Sequence, residues 1–250
     1  MQRVPASDAR KLLEIDAATL FVLDARGRML RENDPDGSPA PRMFLSGCES
    51  GNLFRLRCDV DDDVAREVAV LVGQEPPFAQ PDAIPKFLDR YRALLSIDTP
   101  VEQKSFGVIY LLPNDLAHDQ DVRLVQQGTA KGDKLFAVLQ RHGLPKAMID
   151  MGFADTSHFW EPWCVAMEED EIAAIAFAAR LGKTGAALGL ATMPAFRGRG
   201  FAAAVTAGWS SLPQLKDRTL IYSTTRDNVS SQRVIERLGL PFFGTSLRLT

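Results

Sequence analysis

The sequence predicts a mixed α/β (α+β) fold: a sheet flanked by helices, preceded by a smaller mixed α/β N-terminal region. Three observations carry this. By its apolar pattern the last third runs strand, strand, strand, helix, strand, helix, strand, an order that builds a mixed sheet covered by helices. The apolar runs there, such as 172–179 and 242–249, have strand length, whereas 200–211 is rich in alanine and reads as a helix. Helix 227–238 is followed by Gly239 and then Pro241, a strong stop signal.

Taken in order, residues 6–17 suit a short helix capped by Ser7 or Asp8, and 19–23 a strand. Residues 32–41, with three prolines and a glycine, read as a loop. A strand is expected at 54–58, then a helix at 61–72 whose acidic start suits the helix dipole. Prolines at 76, 77 and 81 break the chain before a helix at 84–95. Residues 105–112 read as a strand closed by Pro113-Asn114-Asp115, and 133–140 as a helix stopped by Gly143 and Pro145. From there the pattern sharpens. Strands at 163–167 and 172–179 form a hairpin through the acidic turn 168–171, and a third strand, 185–193, ends at Pro194. Helix 200–211, strand 219–224, helix 227–238 and strand 242–249 complete the chain. A domain boundary is placed near residue 120, dividing 1–120 from 121–250.

Composition excludes several classes. The chain has 250 residues, 46% hydrophobic and 24% charged, as in ordinary soluble domains. A formal net charge of -3 gives no basic excess, so neither nucleic acid nor a membrane surface is expected as partner. No apolar run approaches the roughly 20 residues that span a bilayer, and the first eight residues are polar, unlike a signal peptide. Cys48, Cys58 and Cys164 contain no CxxC pair and read as reduced thiols of a cytoplasmic protein. His118, His142 and His158 are scattered, so no metal site is expected.

The chemistry is concentrated at Arg197-Gly198-Arg199-Gly200, between a strand and a helix. Such a turn leaves backbone N–H groups free at a helix N-terminus, and those groups bind phosphate oxygens. Gly198 and Gly200 lack a Cβ, so the backbone can bend sharply and approach a ligand. Arg197 and Arg199 add positive charge beside a pyrophosphate. The plain alternative is a tight turn with two solvated arginines. A dinucleotide-binding fingerprint at Gly198, Gly200 and Ala203 is the other alternative. The proline and arginines before the helix count against it, as does the lack of an acidic strand end about 20 residues on.

Arg-Gly-x-Gly-Phe-Ala after a strand and a proline resembles the central motif of the GNAT acyl-CoA N-acyltransferase superfamily. Downstream, Asn228, Ser231 and Leu238-Gly239 match the spacing of its second motif, with Phe242-Phe243-Gly244 following. The resemblance covers about 163–250. It implies a GNAT-like mixed, splayed sheet that takes acetyl-CoA, the acyl donor, into its gap. Backbone groups of Ala191, Thr192 and Met193 would then meet the pantetheine. Arg197, Gly198, Arg199, Gly200, Phe201 and Ala202 would hold the pyrophosphate, and Asn228 and Ser231 would face the cofactor. The implied activity is N-acetyl transfer to an amine of a small molecule or peptide by direct attack on the thioester. The N-terminal region would supply part of the acceptor site or a lid, and a homodimer is left open.

Two departures from that pattern leave the catalytic residues unassigned. Many members carry a tyrosine seven residues after the motif asparagine, where this chain has Ile235. Histone-acetylating members carry a glutamate base near the start of the strand before the glycine loop, yet 185–193 contains no carboxylate. Tyr222, on the next strand, is the remaining weak candidate. Glu168, Glu169 and Glu171 read as solvated turn charges, and Cys164 as a small buried hydrophobe. The missing residues keep a non-catalytic acyl-CoA-binding module as a rival. Ala186, Ala187 and Gly189 suggest room for an acyl chain longer than acetyl. Finally, the segment 155–163 holds Asp155, His158, Phe159, Trp160, Glu161 and Trp163. It reads as an aromatic anchor packing the two halves together before it reads as an acceptor pocket.

Overall fold

The structure, a computed structural model, describes residues 2–97, 100–117 and 121–250. His118 and the expected boundary near residue 120 lie outside the described residues. The chain divides into two compact units, one made of Met1–Leu111, Leu181–Gly185 and Ile221–Thr250, the other of Leu112–Arg180 and Ala186–Leu220. In chain order the first unit begins with α1 (Ala6–Leu20), β1 (Phe21–Leu23), β2 (Met29–Glu32), β3 (Met43–Cys48) and β4 (Gly51–Leu56). It continues with α2 (Asp62–Gln74), α3 (Leu88–Leu95) and β5 (Lys104–Leu112). The second unit holds β6 (Arg123–Gln126), α4 (Ala130–His142), α5 (Lys146–Ile149), β7 (Trp163–Glu168), β8 (Glu171–Leu181), β9 (Gly185–Thr192) and α6 (Phe201–Ser210). The chain then adds β10 (Thr219–Thr225), α7 (Val229–Leu238) and β11 (Phe242–Leu249) to the first. The class is mixed α/β, with sheet strands flanked by helices.

In the first unit the sheet order is β4-β3-β11-β5-β10, with β1 and β2 as a separate pair. Pairing register shows which residues share a face, because directly opposed residues project to the same side. Leu247 lies opposite Leu45 and Leu249 opposite Met43. These join Val68, Leu71, Tyr91 and Leu95 of α2 and α3 in one apolar core. The other face carries Ser46, Ser246 and Gly107 in one row and Phe44, Arg248 and Ser105 in the next. Helix α1 covers that face, approaching so closely that a Cβ at Gly244 would come 2.8 Å from Leu13 Cδ2. The carboxylate of Glu75 holds the start of α3, accepting from the Lys86 and Phe87 amides at 2.6 and 3.0 Å and from the Tyr91 hydroxyl at 2.9 Å.

In the second unit the order is β9-β8-β7-β6. Val125, Val165 and Ile175 stand opposite one another and pack under α4, α5 and the segment around Phe153 and Phe159. Cys164 and Leu124 lie on the other face beneath α6, where a Cβ at Gly208 would come 2.4 Å from Leu124 Cδ1. Small residues in α6 permit that approach, and the Trp209 indole donates to the Pro162 carbonyl at 2.8 Å.

Several sequence expectations need correction. The first helix runs to Leu20, so Thr19 and Leu20 are helical and the strand starts at Phe21. The Thr19 hydroxyl donates back to Ile15 O at 2.7 Å, within the helix. Neither Ser7 nor Asp8 caps this helix; Pro5 precedes it without a side-chain cap. Asp61, in contrast, caps α2 as the acidic start suggested, accepting from Asp63 and Val64. The helix expected at 84–95 begins only at Leu88. Strands β2, β3 and β6 are additional to those expected from the sequence pattern. All six residues of β3 are buried, so both faces are covered and the polar–apolar alternation that marks a half-exposed strand is missing.

Candidate functional site

The glycine loop lies wholly in the second unit. Strand β9 ends at Thr192, a single 3-10 turn occupies Pro194–Phe196, and α6 opens at Phe201. Gly198 and Gly200 take φ values of 77° and 92°, the left-handed region that side-chain-bearing residues resist. The first α6 amide satisfied by a backbone carbonyl is that of Ala204, which donates to Gly200 O at 3.1 Å. Among the described residues no acceptor takes the amides of Gly198, Arg199, Gly200, Phe201, Ala202 or Ala203. Six successive donors at the positive end of a helix make a cradle for an anionic group.

Residues 119–241 match the model of the GNAT acetyltransferase domain. That stretch of the chain is a GNAT domain. The family implies acyl transfer from an acyl-CoA. Among solved structures, a GNAT-family acetyltransferase from Colwellia psychrerythraea is similar at 16% identity and a TM-score of 0.44, covering 100% of this chain and 98% of that one. A GCN5-related N-acetyltransferase-like protein from Streptococcus suis gives 13% identity and 0.44, with 98% and 99% covered. A Drosophila protein gives 16% identity and 0.45, and here the match covers 66% of this chain and 57% of that protein. At these values the likenesses carry no argument. No curated protein matches the sequence.

The structure sorts the residues read from sequence around the GNAT loop. The Arg197 Nε donates to Thr192 O at 3.4 Å, tying the arginine to the end of β9. Arg199 meets Glu168 Oε1 at 2.5 Å and lies over the rings of Phe196 and Phe201 at 5.6 and 5.2 Å. Glu168 is thus the last residue of β7 and an ion-pair partner of the loop, where sequence reading took it for a solvated turn charge. The turn itself is Glu169-Asp170. Both backbone groups of Met193 are engaged: its amide donates to Ala173 O and its carbonyl accepts from Phe196, each at 2.9 Å.

Asn228 and Ser231, in the first unit, are brought together as a helix cap. The Asn228 Oδ1 accepts from the Ser231 amide at 3.1 Å at the start of α7. Tyr222 on β10 is buried, which raises its phenol above the ordinary value, while the Ser231 side chain pulls the other way. Ile235, at the position where many GNAT members carry tyrosine, is buried on α7. Gly189 offers no acyl room, because a Cβ there would fall 2.4 Å from the Phe177 ring, which fills that space. Cys164 has its thiol pushed up to about 12 by burial, so it stays protonated and inert.

The segment 155–163 packs inside the second unit. Phe159 and Trp163 join its core with ring centroids 6.0 Å apart, and Trp163 stacks on Phe136 at 6.0 Å. Asp155 caps a short turn through the Ser157 amide, and His158 Nδ1 accepts from the Ala154 amide at 3.3 Å. These contacts favour the anchor over the pocket, an anchor internal to one unit. Among the described residues no group of three or more His, Cys, Asp or Glu could hold a metal ion, and no helix is long and apolar enough to cross a membrane.

One residue with chemical character was missed. Asp16 is fully buried on α1 with its pKa raised to about 7 by burial, the charge of Arg248 opposing that rise. Its signal was present in the sequence. Leu13, Asp16, Ala17 and Leu20 follow helical spacing, and one member of that apolar stripe is a carboxylate.

Proposed function

We propose that this chain is an acetyl-CoA-dependent N-acetyltransferase that acylates an amine of a small molecule or peptide by direct attack. The observation that carries the reading is the row of unpaired amides from Gly198 to Ala203 at the start of α6, within the GNAT domain. These N–H groups and Arg197 hold the pyrophosphate. Ala191 and Thr192 hold the pantetheine through backbone groups, and one of their amides stabilises the developing oxyanion. Tyr222 protonates the departing thiolate. Residues 121–250 carry this chemistry and residues 1–120 contribute to the acceptor side. Three free cysteines support a reducing, cytoplasmic setting.

The test is release of free thiol from acetyl-CoA across a panel of amines, alongside calorimetric titration with acetyl-CoA. Gly198→Val meets no neighbouring atom, so its effect comes from the φ of 77° that valine resists. It is expected to reduce acetyl-CoA affinity at least a hundredfold with the fold retained; unchanged affinity refutes the loop assignment. The buried Ile235 favours a second reading, a non-catalytic acyl-CoA-binding module. Tight acetyl-CoA binding with no thiol release on any amine selects it.

A further inference from the structure

Helix α1 buries Ala9, Leu13, Asp16, Ala17 and Leu20 against the first unit's sheet. Asp16 is 0% exposed, and neither of its carboxylate oxygens has a hydrogen-bond partner among the described residues. A buried polar group without a partner is rare in folded proteins and marks a place where something else supplies the partner. Under Asp16 the sheet is unusually small-sided. Ser105 and Gly107 on β5 and Ser246 on β11 lie on the inner face, with Ser223, Thr224 and Thr225 at the end of β10. Together they leave a cavity of about 200 Å³ that Asp16 and Leu20 line from the helix side. Any side chain at Gly107 would intrude, since its Cβ would come 2.5 Å from Ser246 Oγ. Ser223 and Thr225 are exposed and mark the mouth.

The charges at this cavity decide what it accepts. Arg248 also borders it, but its guanidinium is bonded to Glu32 at 2.7 Å and lies over the Phe21 ring at 5.4 Å. Glu32 holds Arg248 by that ion pair, so the charge of Arg248 offsets the Asp16 carboxylate only in part. A buried carboxylate is stabilised by a cation that also donates hydrogen bonds. The surrounding hydroxyls of Ser105, Ser223, Thr225 and Ser246 both donate and accept.

We propose that the cavity between α1 and the β11-β5-β10 face binds a small primary ammonium compound bearing hydroxyl groups. Asp16 takes its N–H donors, and the serine and threonine side chains take its hydroxyls. Its role as the acceptor of acyl transfer rests on the function proposed above; the binding itself does not.

Calorimetric titration at pH 8 with ethanolamine and 2-amino-1,3-propanediol, against ethylene glycol and glycerol, tests it. The wild type is expected to bind the amines at least tenfold more tightly than the diols. Asp16→Asn should remove that preference. Ser223→Leu, which narrows the mouth without touching the carboxyl, should weaken amine binding at least tenfold at an unchanged thermal midpoint. Failure of both amines to bind, equal binding of amines and diols, or a preference that survives Asp16→Asn overturns the proposal. Gly198→Val separates the two readings. Amine binding that persists while acetyl-CoA binding proves insensitive to Gly198→Val sinks the acyl-CoA loop and leaves this cavity standing.

Discussion

Replacing Asp16 by asparagine changes the pH dependence of stability by an amount that follows from its burial. In the unfolded chain the carboxyl titrates near the ordinary 3.8, and in the folded protein it is raised to about 7. Between those values the folded state holds a proton that the unfolded state has released, so stability falls as pH rises. Stability is fully present below pH 3.8, is lost on the way up to about 7, and is level above that. At about 1.4 kcal/mol per pH unit the loss comes to about 4 kcal/mol in all, and about 3 kcal/mol between pH 5 and 8. Asparagine has the same shape and no such titration. Its amide is itself buried without partners, which lowers stability by about 1–3 kcal/mol at every pH. The slope is therefore the signal, and the offset is not. Urea unfolding at pH 5, 6, 7 and 8 should show the wild type losing about 3 kcal/mol relative to Asp16→Asn over that range. Parallel curves for the two proteins would refute the reasoning, because Asp16 would then be ionised in the fold at all four values.

Three further changes probe separate parts of the molecule. Gly189→Ala drives a methyl into the Phe177 ring, 2.4 Å from its Cε2, and should cost about 1–3 kcal/mol in denaturant unfolding; adding Phe177→Leu should recover most of it, and no loss in the single variant would show that the ring does not fill that space. Asn228→Ala removes the cap of α7 and should cost about 1 kcal/mol, a fall of about 2–4 °C in Tm; an unchanged Tm contradicts the capping role. Tyr222→Phe should lower kcat about a hundredfold with KM for acetyl-CoA unchanged if the phenol protonates the thiolate, whereas kcat within twofold of wild type removes Tyr222 from the mechanism.

The features legible in the sequence are those whose cause is local. Gly198 and Gly200 permit a left-handed turn that residues with a Cβ resist, and the helix that follows supplies free amides by its own geometry. Asn228 caps, and Gly239 at a φ of 62° ends, the same helix within a dozen residues of one another. Asp61 announces α2 in the same way. For such elements a short window contains both partners of each interaction.

What the sequence by itself determined, then, is the mixed α/β class, the order of elements from Trp163 onward and the left-handed glycine turn that leads into α6. Only the tertiary structure decided that β3 is a strand, because its two covers, α1 on one face and the α2–α3 layer on the other, come from distant segments and erase its alternation. The same holds at the functional residues. Glu168 meets Arg199 only once β7 and the loop are folded together, and the Met193 amide finds its acceptor in Ala173 of a neighbouring strand. Asp16 stands alone in a cavity because Ser105, Gly107 and Ser246, about 90 and 230 residues away along the chain, put small side chains under it. Periodicity identifies which side of a helix is buried; the facing surface determines whether a carboxylate there is a defect or a site.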